Sequence, residues 1–143
     1  MSTERSYTIC IIAFRGSPDH HWNRHVGLWF LPITSGSHYY FHAKGIGNTY
    51  ELDIKRGWNP TDSYHFANLV TVASTSKTLT NDKLEDLMAA VPTASTTEDH
   101  FNCQTWVAYA LDMLQREGYL TKQECTAGID SMIDLTFQAL EEG

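Results

Sequence analysis

The sequence of 143 residues has neither an excess of positive charge nor a cluster of Lys and Arg. Ten Lys and Arg stand against 17 Asp and Glu, which gives a formal net charge of −7 at pH 7. A surface of this sign repels phosphate backbones and anionic lipid head groups, so nucleic acid and membrane surfaces are unfavourable partners. No apolar run approaches the roughly 18 to 20 residues of a membrane-spanning helix.

Cysteine is also scarce, since the sequence contains only Cys10, Cys103 and Cys125. An odd number of widely spaced cysteines forms neither a disulfide framework nor a CxxC metal-binding pair, so we expect no metal and no other cofactor. Unpaired thiols favour a reducing compartment, and we therefore expect a cytoplasmic location. The N-terminal segment MSTERSYTICIIAFRGS lacks a basic leader and a small-residue cleavage site, which favours a strand over a signal peptide.

The residues that are present suffice for one domain over 1–143, because 42% of them are hydrophobic and 12% aromatic. The first half contains β-branched and aromatic segments separated by short turns with Gly, Ser and Asn, a pattern typical of an antiparallel meander. It predicts strands over 7–14, 25–33, 37–45, 49–54 and 66–74.

The second half predicts helices. Residues 80–92 begin with polar capping residues and end at a proline, and residues 102–117 carry one apolar face and end at Gly118. TKQE at 121–124 matches a capping box that opens a last helix, either continuous or broken near Gly128, that runs through 129–142. The predicted fold class is α+β, with an antiparallel sheet of four to six strands packed by about three helices.

Cys103 stands in the first turn of the helix predicted over 102–117. It shares the apolar face of that helix with Trp106, Val107, Ala110, Leu111 and Leu114, so one interpretation is a buried packing residue. The other is a nucleophile, because a helix N-terminus favours the thiolate and lowers the pKa of a thiol. Asp99 or Asn102 would cap this helix.

A nucleophilic cysteine needs a base and a group that orients the base. Of the seven histidines, His25 begins an apolar strand and shares a face with Gly27 and Trp29. On the neighbouring strand, His42 shares a face with Tyr40. A short hairpin connection would bring His42 within reach of His25. The other histidines, His20, His21, His38, His65 and His100, have no comparable pattern of base and partner around them.

Three segments in this order, HVGLWF at 25–30, YYFHAKG at 39–45 and FNCQTWV at 101–107, carry a resemblance. The arrangement resembles the circularly permuted branch of the papain-like thiol enzymes, in particular the lecithin:retinol acyltransferase-like proteins, the PPPDE thiol peptidases and the permuted NlpC-type enzymes. It is also similar to uncharacterised small fungal proteins. The resemblance implies a permuted papain-like fold with Cys103 as nucleophile, His25 as general base and His42 as the third, polar member.

That assignment implies a hydrolase or acyltransferase that acts on an amide, ester or thioester carbonyl of a small molecule or peptide. The backbone N–H of Cys103 would meet the oxyanion, and Gln104 is a candidate side-chain donor. Trp29, Tyr40 and Trp106 are candidate walls of the substrate cleft, although large residues on apolar faces also serve as core.

Three alternatives stay open. Cys103, His25 and His42 form a CysHis2 set that zinc would accept. A binding or effector module without turnover is the second alternative, because fold does not dictate function. Finally, the same catalytic residues would serve acyl transfer or cyclisation in small-molecule biosynthesis.

Overall fold

A computed structural model of the protein describes residues 3–46, 49–94 and 101–142. These residues form a five-stranded antiparallel sheet and three α-helices, which confirms the predicted α+β class. Asp99 and His100 lie outside the described residues. The strands are β1 Tyr7–Phe14, β2 His25–Pro32, β3 Tyr39–Ile46, β4 Thr49–Arg56 and β5 Phe66–Ser74, and the helices are α1 Asn81–Ala89, α2 Cys103–Arg116 and α3 Lys122–Glu142.

The strand order in the sheet is β4-β3-β2-β1-β5, and every neighbouring pair is antiparallel. β2, β3 and β4 form the expected meander. β1 lies between β2 and β5, and all its residues except Thr8 are buried. This position explains why β1 is an almost continuous apolar run rather than an alternating one.

The two faces of the sheet have different cover. One, the helix face, packs against α2 and α3 and holds the main core, which includes Ile9, Ile11, Val26, Leu28 and Phe41. The other, the aromatic face, holds a smaller buried cluster of Cys10, Ile12, Phe14, Trp29 and Tyr40, flanked by Trp58 and Phe66. Alternation along each strand therefore assigns successive side chains to different surroundings.

α2 begins with a capping box. The Asn102 side chain accepts hydrogen bonds from the N–H groups of Gln104 and Thr105, and the Thr105 hydroxyl accepts one from the Asn102 N–H. These contacts explain why the helix begins at Cys103. Among the N–H groups of the first turn, that of Cys103 is the one that the Asn102 side chain does not bind.

α3 continues through Gly128, so of the two alternatives for this helix the continuous one is present. A Cβ at Gly128 would lie 3.1 Å from Val72 Cγ1 and 3.3 Å from Leu111 Cδ1. The glycine therefore permits close packing of α3 against β5 and α2, and the tertiary contact outweighs its low helix propensity. No helix in the described ranges is long and apolar enough to cross a membrane.

The seam between β2 and β3 is only partly closed. In the described residues the ladder joins Leu28–Phe30 to Tyr39–Phe41 and goes no further, whereas β3 stays paired with β4 along its whole length. The first residues of β2, His25 to Gly27, therefore have an unpaired edge on the β3 side. The N-terminus of α2 lies at this opening, where Cys103 contacts Arg24.

Candidate active site

The chain that enters β2 is held by Arg24, whose side chain is fully buried. Its guanidinium pairs with Asp19, with 2.7 Å between Nη2 and Oδ2, and its Nη1 donates to the Leu135 carbonyl at 3.0 Å. A buried charge of this kind needs such partners, because an unpaired one would be strongly destabilising. The Arg24 side chain thus fixes the start of β2 against α3 and leaves its own carbonyl facing α2.

Cys103 docks onto this backbone. Its thiol donates to the Arg24 carbonyl, with 3.9 Å between sulfur and oxygen, and the Val26 N–H donates to the Cys103 sulfur. The Gln104 side-chain amide donates to the carbonyls of His21 and Arg24 at 3.2 and 3.3 Å. Gln104, a candidate oxyanion donor from the sequence, therefore holds the β1–β2 loop in place in this arrangement.

Cys103, which is half-buried, lines a cleft of about 330 Å³ at the β2–β3 opening. Trp22, in the loop before β2, lines this cleft and is 63% exposed. Tyr50, in β4, lines it as well. The lining residues are Trp22, Asn23, Arg24, His25, Ala43, Gly45, Tyr50, Asn102 and Cys103. His25 and Cys103, which are far apart in sequence, thus line the same cleft.

His25 is the first member of a chain of side-chain hydrogen bonds that continues to β3 and β4. Its Nε2 lies 2.7 Å from His42 Nδ1, and His42 Nε2 lies 2.7 Å from Asp53 Oδ2. The expected approach of His42 to His25 is therefore present. We call these three residues, His25, His42 and Asp53, the relay.

Asp53 was not identified from the sequence. It lies directly opposite His42 in the β3–β4 ladder, because the same register pairs Ile46 with Thr49. A signal was available: a two-residue connection at Gly47 and Asn48 is typical of a tight hairpin. Counting outward from it pairs His42 with Asp53.

The relay determines which nitrogen of His25 can act as a base. A carboxylate only accepts, so His42 donates to Asp53 through Nε2–H, and neutral His42 then accepts at Nδ1. His25 must consequently donate through its own Nε2–H. The second nitrogen, His25 Nδ1, keeps its lone pair and is the atom that can accept a proton.

The pKa values of the relay keep both imidazoles neutral at pH 7. Burial, followed by the charge of His42, lowers the pKa of His25 to about 4. Burial also lowers the pKa of His42, although Asp53 opposes this effect. Burial acts to raise the pKa of Asp53, but the hydrogen bond from His42 and the charge of Lys55 outweigh it, so the pKa falls below its ordinary value and the group is ionised.

The pKa of the Cys103 thiol differs from the lowered value that the helix N-terminus predicts. Its pKa is raised, not lowered, because burial of the sulfur outweighs the backbone N–H groups of Val26, Gln104 and Cys103 that favour the thiolate. The resting site consequently pairs a neutral thiol with a neutral imidazole.

The three aromatic candidates lie in different places. Trp106 is fully buried in the main core, and Trp29 lies on the aromatic face and donates through Nε1 to His38 Nδ1 at 3.0 Å. Tyr40 is 1% exposed, and its ring crosses Gly27, where a Cβ would overlap the hydroxyl. The Tyr40 hydroxyl has no hydrogen-bond partner among the described residues. These positions favour a packing role for Trp29 and Trp106.

In the part of the chain that the structure describes, no group of three or more His, Cys, Asp or Glu is arranged to hold a metal ion. Both ring nitrogens of His42 already have hydrogen-bond partners, His25 and Asp53. The zinc alternative therefore has no support from the geometry.

Comparison with known proteins gives one finding. A family model described as a family of unknown function, DUF6540, matches residues 9–121, a span that contains the relay and Cys103. No curated protein and no solved structure matches significantly.

Proposed function

We propose that this chain, which belongs to the family of unknown function DUF6540, is a thiol hydrolase or acyltransferase with Cys103 as its nucleophile. The observation that carries the proposal is the relay, which ends at His25 in the same cleft as the Cys103 sulfur. A series of two imidazoles and a half-buried carboxylate is unfavourable to desolvate, so its presence beside Cys103 favours a chemical role over packing.

The first step is attack by Cys103 on an amide, ester or thioester carbonyl. Because the resting pair is neutral, His25 Nδ1 takes the thiol proton as the carbon–sulfur bond forms, acting as a general base. His42 and Asp53 hold the ring of His25 in the tautomer that this transfer needs and stabilise the imidazolium that results.

The leaving group departs next with the proton from His25, which leaves a thioester on Cys103. Water then attacks the thioester in a hydrolase, or an amine or alcohol in an acyltransferase, while His25 accepts the proton of the incoming group. The backbone N–H of Cys103, which the Asn102 cap does not bind, is suited to stabilise the oxyanion in both halves of the reaction.

The permuted papain-like fold is part of the same proposal. An antiparallel sheet with His25 and His42 on neighbouring strands, followed by a helix that begins at Cys103, supports it. The unpaired state of Cys10, Cys103 and Cys125 supports a reducing, cytoplasmic location.

Reaction with p-nitrophenyl acetate tests the proposal. The protein should release one equivalent of nitrophenolate in a burst, and peptide mass spectrometry should find the acetyl group on Cys103. Cys103→Ala should abolish the burst, whereas His38→Gln, which removes a histidine outside the relay, should retain it.

Acetylation spread over Cys10 and Cys125, or no acetylation at all, would refute the proposal in favour of a binding module. Added glycinamide then distinguishes the two enzyme classes. A transferase forms the acetylated amide, and a hydrolase forms only acetate.

A further inference from the structure

The structure contains a second cavity, of about 290 Å³, that shares His25 with the Cys103 cleft and otherwise has different lining residues. It lies on the aromatic face. Three aromatic rings, Phe14, Tyr40 and Trp58, line it together with the basic side chains of Arg15, Lys55 and His65. The proposed reaction uses none of these six residues, although His25 and His42 of the relay also line the cavity.

The rings come from separate elements and converge. The Phe14 and Trp58 centroids are 6.2 Å apart with nearly parallel planes, and the Tyr40 and Trp58 centroids are 5.3 Å apart. Phe14 also stacks on the His25 ring at 6.1 Å. A flat apolar group placed here would contact aromatic surface from β1, from β3 and from the loop after β4.

Two cationic side chains line this cavity although the chain as a whole is acidic. The protein carries a net charge of −7, yet this cavity is lined by Arg15 and Lys55 and by no Asp or Glu. Lys55 Nζ lies 5.4 Å from the centre of the Trp58 ring, so an ammonium group flanks the aromatic wall. Its distance of 3.5 Å to Asp53, with both side chains partly exposed, makes that ion pair weak.

We propose that this cavity binds a small carboxylate with a flat apolar body, such as a single aromatic ring on a short chain. The ring packs against Trp58 and Phe14, and the carboxylate is attracted by Lys55 and Arg15. A volume of about 290 Å³ is just below the range typical for small-molecule sites, about 300–1,000 Å³, and so fits a small ligand. The proposal does not depend on acyl transfer by Cys103.

Titration with 3-phenylpropionate, followed by NMR, tests it. The sequence contains four Trp, each with one indole N–H signal. The variants Trp58→Phe and Trp22→Phe assign the signals of Trp58 and Trp22. The Trp58 signal should move with ligand concentration, while that of Trp22, in the Cys103 cleft, should not. The neutral analogue 3-phenylpropanamide should bind about tenfold more weakly, as expected for loss of one charge-assisted interaction.

Two variants locate the charge recognition. Lys55→Met should weaken binding of 3-phenylpropionate by about fivefold or more, whereas Lys83→Met, which removes an exposed lysine of α1, should leave it unchanged. Equal affinity for acid and amide would overturn the choice of an anion. Movement of the Trp22 signal in place of Trp58, or no movement at millimolar ligand, would overturn the site itself.

Discussion

The two faces of the sheet are formed by the same strands, but one holds the main core and the other holds the relay. On the helix face, β2 contributes Val26 and Leu28 to a core that is apolar and fully buried. On the aromatic face the same strand contributes His25 and Gly27, beside the titratable relay and the Tyr40 ring. Neighbouring residues of β2 therefore have different surroundings: one packs in the main core and the next lies in the candidate site.

The difference teaches that, along β2, the positions that support the fold and the positions that support the base should separate by face. Buried apolar side chains on the helix face contribute folding energy in proportion to the area they remove from water. The imidazoles of His25 and His42 gain little by burial and are held instead by two hydrogen bonds of 2.7 Å. Substitutions on the two faces can test that separation.

The largest expected effect is on the aromatic face. His25→Gln removes the proton acceptor but keeps a side chain of similar size that can still bond to His42. We expect the rate of Cys103 acylation to fall by about 10²–10⁴-fold, as for loss of a general base, with a melting temperature close to wild type. Stopped-flow acylation and thermal unfolding measure the two quantities. An unchanged rate would remove His25 from the mechanism.

On the helix face we expect the opposite pattern, a loss of stability without a loss of acylation rate. Leu28→Ala leaves a cavity in the main core, and the free energy of unfolding should fall by about 2–5 kcal/mol in urea titrations. Ile33→Ala is the control, since Ile33 is exposed and should change stability by no more than about 0.5 kcal/mol. The acylation rate per folded molecule should stay at the wild-type level. A strong loss there would mean that the faces are coupled.

Acid should destabilise the protein through the aromatic face. In the unfolded chain His25 gains a proton near pH 6.5, whereas in the folded chain it stays neutral down to about 4. The unfolded state thus binds more protons in this window, so stability is lost as the pH falls from 6.5 to 4, by at most about 3 kcal/mol. Urea unfolding at several pH values should follow this slope, and His25→Gln should flatten it. Greater stability at pH 5 than at pH 7 would contradict the assignment.

A smaller effect is expected at the far end of the relay. Asp53→Asn removes the charge that fixes the His42 tautomer, and acylation should slow by about tenfold, the low end for a hydrogen bond to a charged group because Asp53 is partly exposed. Asp62→Asn removes an exposed carboxylate outside the relay and serves as the matched control. Equal rates for the two variants would reduce Asp53 to a surface partner of Lys55.

The smallest effect is expected at Tyr40. Its buried hydroxyl has no partner in the described residues, and burial, followed by the charges of Cys103 and Asp53, raises its pKa, so it stays protonated. Tyr40→Phe should therefore raise stability by up to about 1 kcal/mol and leave acylation unchanged. A marked loss of acylation would instead give the hydroxyl a role at the reacting atoms.

Local pattern was sufficient for most of the fold. β1 and β5 match their predicted ranges, 7–14 and 66–74, and the other elements differ by a few residues at their ends. Periodicity and capping residues carry this information, because a strand or helix end is decided by contacts within a few residues. The capping box at Asn102 is an example, since it fixes the start of α2 and hence the position of Cys103.

What the sequence could not provide were the properties that depend on distant contacts. The raised pKa of the Cys103 thiol comes from burial, which depends on the approach of the Arg24 backbone from a distant part of the chain. The continuity of α3 at Gly128 depends on Val72 and Leu111 in the same way. The register of the β3–β4 hairpin was sufficient to place Asp53 opposite His42, but an acidic residue on an edge strand is ordinarily exposed to solvent.

The partners in the candidate site also differ in how far apart they are along the chain. The two relay bonds join residues 17 and 11 positions apart, whereas the contact from Cys103 to the Arg24 carbonyl joins residues 79 positions apart. Closing the longer loop sacrifices more chain entropy, and contacts of long range generally form late in folding. The β2–β4 meander can therefore assemble the base before α2 delivers the thiol, and protection of Cys103 from alkylation during refolding would report the final closure of the chain.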